Sequence, residues 1–319
     1  MSDASASGLR PNIFTVPLGL FGAGHVAGRL YEFEGAPFDV AARVIFFIAG
    51  FVFAGVLLAY LVQIVARKID LKRDLADTQM MNYSPALGMV LVLAGAALRP
   101  YEASTGAFLI LLGAFTGLFF SVLVVRQWLT QAITPEQIST AWFFPVAGNL
   151  VAATALSNLK LELLALLFGG LGVVGWLMLL PIIFRRLILA KELTPVLLPS
   201  LFIMIAPQGL VMSALLRLLP SEVALPVAAL VLGFGLFLLI TLVSLRGHFE
   251  KSPYSIAWWA YTFPTAALAA GSLDLAAKMD AAGLIVLAEV LASLNLALTA
   301  GVGLIALLNL RKEKRPPME

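Results

Sequence analysis

Long apolar runs alternate with short polar or charged breaks along almost the whole chain. A membrane helix needs about 20 mostly apolar residues, with a range of roughly 17–25. Ten stretches of about that length are present, at 12–30, 40–66, 80–98, 104–125, 141–158, 161–184, 196–219, 223–245, 254–276 and 283–310. The connections are short apart from the charged ARKIDLKRDLADTQ at 66–79, and no stretch is long enough for a soluble domain. The pattern predicts an all-α membrane protein with a polar tail at 1–11, a ten-helix transmembrane domain at 12–310, and a basic, proline-ended tail at 311–319.

A second pattern lies inside the first. Each odd span carries a proline followed by a glycine: Pro17 and Gly19, Pro85 and Gly88, Pro145 and Gly148, Pro207 and Gly209, Pro264 and Gly271. Successive prolines are 68, 60, 62 and 57 residues apart. Even spans are rich in Leu, Val, Phe and Gly, with Pro181 and Pro226 only near their ends. Five helical hairpins follow, each with a proline-broken first helix and an unbroken second one. A proline within a membrane helix removes a donor and frees a carbonyl, which is tolerated only where backbone is buried in protein or lines a watery cavity. Five equivalent breaks predict an inner ring of kinked helices around a narrow pore and an outer ring of five facing lipid or neighbouring protomers. Prolines and glycines are also frequent in membrane helices generally, but the register on odd spans alone argues against that reading of the set.

Composition supports the class. Hydrophobic residues make up 61% and charged residues 12%, with mean hydropathy +0.98, against about 45–50% and 25% in soluble domains. Net charge is +3, and its placement is more telling than its size. Fifteen of the 21 Lys and Arg fall on the side that holds both termini: Arg10, Arg67, Lys68, Lys72, Arg73, Arg126, Arg185, Arg186, Lys191, Arg246, Lys251 and four in 311–315. The other side has Arg29, Arg43, Arg99, Lys160, Arg217 and Lys278. This asymmetry predicts that both termini are cytoplasmic; the expected location is the plasma membrane, and nucleic acid is not an expected partner. The absence of cysteine excludes disulfides, thiolate catalysis and Cys-based metal sites. The opening MSDASASGLRP lacks the features of a signal peptide.

Span interiors carry almost no charge. His25 in span 1 and Glu289 in span 10 are read as the ionisable candidates, and a proton-coupled pump normally shows such groups at mid-depth. An anion can be stabilised without fixed charge by backbone N–H groups and helix ends exposed at the kinks. Thr15, Ser84, Asn149, Gln208 and Thr262 lie beside the prolines as candidate polar contacts, although each is also a helix-to-helix hydrogen bond. Gly24–Gly28 and Gly113–Gly117 read as close-packing pairs. No phosphate loop, HExxH, carboxylate dyad or Ser–His arrangement is present, so no enzyme, cofactor or metal is expected. In SPYSIAWWAYTFPTAALAA (252–270), Trp258, Trp259, Tyr261 and Phe263 crowd up to Pro264. An aromatic there either packs a core or plugs a hole.

Three segments carry a resemblance: FTVPLGLFGAG (14–24), FFPVAGN (143–149) and WWAYTFP (258–264). Together they resemble the tellurite-resistance/dicarboxylate transporter family, which includes plant slow anion channels, a bacterial tellurite-resistance channel, and yeast malate and sulfite permeases. The likeness runs through all ten spans, and WWAYTFP is nearest the slow-anion-channel branch. It implies a homotrimer in which each protomer has its own pore, occluded by a phenylalanine of the ninth helix. The matching residue is Phe263, with Trp258, Trp259 and Tyr261 as packing residues. The plant channels have long termini that this sequence does not show, so kinase control through such tails is not part of the expectation. The function so implied is an anion channel with an uncharged pore gated by Phe263, conducting inorganic or small organic anions. The alternatives are a proton-coupled carrier of malate, another dicarboxylate or sulfite, which needs His25 or Glu289, and a non-transporting membrane protein or enzyme.

Overall fold

The structure, a computed structural model, describes residues 8–66 and 71–313. Arg67, Lys68, Lys314 and Arg315 of the basic count lie outside the described residues, as do 1–7 and 314–319 of the two tails. Among the described residues the protein is all helical, with no strand. Ten long helices follow in order: α1 Thr15–Glu34, α2 Ala36–Val65, α3 Pro85–Leu98, α4 Ala103–Thr130, α5 Phe143–Asn158, α6 Glu162–Leu189, α7 Ala206–Leu218, α8 Ser221–Ser244, α9 Thr262–Met279 and α10 Ala282–Glu313. Nine helical stretches among the described residues are long and apolar enough to cross a membrane. The stretch containing α9 is the expected span missing from those nine. Asp274, Lys278 and its serines and threonines lower its hydropathy.

The prolines of the odd spans do not stand in the middle of α-helices. Four of the five helices continue directly from a 3₁₀ segment: Pro11–Phe14 before α1, Thr140–Trp142 before α5, Pro195–Ile205 before α7 and Ile256–Tyr261 before α9. Met81–Tyr83 precedes α3 across Ser84. Pro17, Pro145 and Pro264 are third in their helices, Pro207 is second and Pro85 is first. The first N–H groups of an α-helix have no partner within it, so proline costs little there and pre-sets the helical φ. The break expected as a mid-helix kink is therefore a change of helix type, repeated five times.

Burial divides the helices into two sets. In the most apolar window of each stretch, 61–89% of residues are buried for α1, α3, α5 and α7, but only 11–33% for α2, α4, α6, α8 and α10. The buried set packs in succession: α1 on α3, α3 on α5, α5 on α7, α7 on α9, and α9 on α1. Each also packs on the helix that follows it in the chain. The exposed set turns Phe47, Phe51, Phe119, Leu230 and Ile240 outward, an orientation that costs nothing in hydrocarbon. Three connections are made by residues in the positive-φ region: Gly35 between α1 and α2, Lys160 between α5 and α6, and Asp280 between α9 and α10. At the end holding the chain termini, Arg10 bonds Asp74 at 3.1 Å and Asp77 at 2.6 Å. Burial pushes the Asp77 carboxyl up, but the Arg10 hydrogen bond and the N–H groups of Met80 and Gln79 outweigh it and hold it below the usual carboxylate range.

Candidate permeation site

Phe263 is the second residue of α9, at the point where the Ile256–Tyr261 3₁₀ segment becomes an α-helix. Ser255 caps the 3₁₀ segment by accepting from Ala257 N–H at 3.3 Å. Across from the ring lies Gly22 of α1; a Cβ there would stand 3.1 Å from Phe263 Cδ2 and 3.0 Å from Ala266 Cβ. The phenyl is buried, at 7% exposure.

Two cavities meet at this ring. The first, of about 200 Å³, lies at the 3₁₀ end of the buried helices, where Leu18, Met89, Phe144, Ile203 and Trp259 line it. The second, of about 100 Å³, lies further along the same helices, beside Gly22, His25, Leu93 and Ala267. Phe263 belongs to both linings and no other residue does. All lining residues of both come from α1, α3, α5, α7, α9 and the segments leading into them. Beyond the second cavity a wider vestibule of about 680 Å³ shares His25, Arg29, Ala96 and Asn158 with it.

The polar residues beside the prolines distribute unevenly. Thr15 lines the first cavity while its hydroxyl donates to Asn12 O at 2.7 Å. Ser84, Asn149, Gln208 and Thr262 line neither cavity. Asn149 Nδ2 donates to Pro145 O at 2.7 Å, Thr262 Oγ1 to Trp259 O at 2.8 Å, and Ser84 Oγ lies 3.9 Å from Met81 Sδ. Short polar side chains in a helix readily bond back to the preceding turn, and that local bond turns them away from the axis. Gln208 is fully buried and packs towards Gly235 of α8. Of the five prolines only Pro264 borders either of these two cavities.

The aromatic neighbours of Phe263 also separate. Tyr261 packs edge-on against Phe202 and Phe249, and Trp258 against Tyr261. Trp258 Nε1 donates to Pro253 O at 3.1 Å. Trp259, by contrast, is buried and lines the first cavity. His25 lines the second cavity and the vestibule, with Nε2 3.0 Å from Leu93 O and its ring edge-on to Phe46. Glu289 sits beside Glu34 and lines none of these spaces.

The expectation of an uncharged interior is corrected at the far end. Arg29 lines the second cavity and binds Asp274 of α9 through Nε at 2.9 Å and Nη2 at 3.3 Å. Asp274 also accepts from Ser213 Oγ at 2.6 Å and Arg217 Nη2 at 3.3 Å. Arg29 and Arg217, both counted on the side opposite the termini, converge on one carboxylate inside the vestibule. The signal available in the sequence was Asp274 itself, a carboxylate within GSLDLAAK (271–278), because an ionisable residue inside a span marks a functional position by default.

Membrane-length helices, a buried inner set and cavities strung along that set define a multi-pass membrane protein of the channel or transporter class. Residues 8–307 match the SLAC1 family, described as voltage-dependent anion channel, and the chain belongs to that family. It is 27% identical over 266 residues to the tellurite resistance protein TehA homolog of Haemophilus influenzae, covering 80% of each chain. It is 26% identical over 201 residues to the S-type anion channel SLAH1 of Arabidopsis thaliana, 62% of this chain and 52% of that one. An uncharacterized transporter of Methanocaldococcus jannaschii, MJ0576, is 26% identical over 182 residues, 50% of this chain and 52% of that one. The match thus spans about half the length of the plant and archaeal relatives.

Proposed function

We propose that this protein is an anion channel in which Phe263 closes the conduction path. In this reading ten spans form five hairpins, and α1, α3, α5, α7 and α9 surround the path while the other five face lipid or the neighbouring protomers of a homotrimer. Both termini are cytoplasmic and the membrane is the plasma membrane. The single observation that carries the gate is that Phe263 alone borders both the 200 Å³ and the 100 Å³ cavity. A ring at that point blocks by bulk, and an apolar constriction also blocks by dewetting. The preference for anions has a backbone source. Residues of the first two turns of α1, α3, α5, α7 and α9 border the first cavity, and helix N-termini favour negative charge.

The test is current through planar bilayers holding purified wild type or Phe263→Ala. Wild type is expected to be nearly silent and Phe263→Ala to conduct anions. A Phe263→Ala variant that folds and stays silent removes Phe263 as the gate, and a current carried mainly by cations removes the anion reading. A second reading, a proton-coupled carrier of a dicarboxylate or sulfite, is favoured by one observation, the presence of His25 on both the second cavity and the vestibule. It requires saturable uptake that collapses with the proton gradient and in His25→Gln.

A further inference from the structure

The Arg29–Asp274–Arg217 cluster is more cationic than an ion pair needs to be. Two guanidiniums share one carboxylate, so these three side chains keep one positive charge, and the vestibule's remaining unpaired charges, Glu32 and Lys278, offset each other. Each guanidinium has five N–H donors, and an ionised carboxylate offers about four lone-pair sites. Ser213 already takes one of those sites at 2.6 Å. Arg217 Nη1 reaches Asn158 Oδ1 only at 3.5 Å. Donors therefore outnumber the acceptors the protein sets against them.

The location makes that surplus useful. Arg29 and Arg217 line the vestibule, and Arg29 also lines the cavity that ends at Phe263. Counted along α1 at 1.5 Å per residue, Arg29 is about 21 Å beyond Thr15, at the opposite end of the path from the five helix N-termini. The Arg29 side chain is only 19% exposed and Asp274 13%, a setting in which charge is poorly screened. Arg43, the vestibule's other arginine, is neutralised by its own partner Asp39 at 2.7 Å. Charged groups within membrane helices are costly; Arg29 already ties α1 to Asp274 of α9 and Ser213 already ties α7 to it, so a purely structural junction of the three helices does not need Arg217.

We infer that the vestibule holds a binding site for a carboxylate, with Arg29 and Arg217 as its ligands and Asp274 as the residue that positions them. A guanidinium fork matches a planar two-oxygen group bidentately and gives no such advantage to a spherical halide. The site selects carboxylates over chloride before the anion reaches Phe263. This deepens the channel reading and rests on it.

Melting of the detergent-purified protein is followed against sodium acetate and sodium chloride at constant ionic strength, a readout of ligand bound to the folded state that requires no transport. Acetate is expected to bind wild type about tenfold more tightly than chloride, and Arg217→Gln to lose that factor, as removal of a charge-assisted hydrogen-bond pair does. Arg217→Gln leaves Asp274 paired with Arg29 and Ser213, so the fold is retained. Arg217→Lys keeps the charge without the fork and is expected to recover only part of the preference. Equal binding of acetate and chloride by wild type, or an unchanged preference in Arg217→Gln, overturns the inference. The acetate-to-chloride permeability ratio is then measured in Phe263→Ala and in Phe263→Ala with Arg217→Gln. A ratio that falls with Arg217→Gln supports the site. A ratio that does not move overturns it while leaving the channel intact, and absence of anion current from both variants overturns the channel reading instead.

Discussion

At the scale of single residues, Phe263 is held by what faces it. Gly22 leaves room for the phenyl, and a methyl there would come 3.1 Å from Cδ2 and 3.0 Å from the Cβ of Ala266. Neither approach is tolerable without a shift, and Phe263 is tied to the helix only by its own χ angles. Gly22→Ala is therefore expected to displace the ring, at the cost of about 1–3 kcal/mol typical of overpacking. Bilayer recordings should show a leak above wild type and below Phe263→Ala; a silent Gly22→Ala that melts like wild type refutes the coupling. The family resemblance pointed to Phe263 through a local feature, the seven consecutive residues of WWAYTFP (258–264). The arginine cluster was hidden because it is not local. Arg29 and Asp274 are 245 positions apart, and Arg217 and Asp274 are 57 apart. Read singly, each arginine looks like a charge at the membrane surface. Only the fold brings them to one carboxylate.

At the scale of elements, the prolines marked the right places for a reason that needed amending. Their spacing located five equivalent points in the chain, and at each the structure has a 3₁₀ segment before the α-helix, directly joined at four and across Ser84 at α3. Sequence periodicity does not distinguish a kink within one helix from a junction between two helix types, since proline suits both. The glycine pairs divide similarly. Gly113 of α4 lies against α3, where an added Cβ would stand 2.6 Å from Gly88 O and Val92 N. Gly24 faces Phe46 of α2, but Gly28 meets nothing within 4 Å and borders the vestibule instead. Close backbone approach through small residues is how membrane helices associate when lipid is as apolar as their side chains. Gly113→Ala should therefore cost at least the 1–3 kcal/mol of an overpacked contact, because the obstacle is backbone and does not rotate away. Gly233→Ala, with nothing within 4 Å of its added Cβ, should melt within a degree or so of wild type. Equal melting of the two variants in the same detergent contradicts the close approach of α3 and α4.

At the scale of the whole molecule, everything about orientation turns on α9. Without it the described residues hold nine membrane-length stretches, an odd number that would put the two termini on opposite faces. In the proposed reading it makes ten, and the termini then share a face, in keeping with the distribution of Lys and Arg. Its low hydropathy is the wrong criterion for a helix that touches little lipid. Twelve of its 18 residues are buried, and it packs on α1, α7 and α10. Burial in protein removes the need for an apolar surface, so Asp274 and Lys278 find protein partners or water rather than hydrocarbon. The native chain has no cysteine, which allows a direct measurement. Gly247 precedes the stretch and Gly283 follows it; both are exposed, with open space around the α-carbon. In intact cells, a membrane-impermeant maleimide should label Gly283→Cys and spare Gly247→Cys until the membrane is opened. Labelling of both from outside, or of neither, means that the chain does not cross between them. In that event α9 is no pore helix, and Phe263 loses its place in the path along with it.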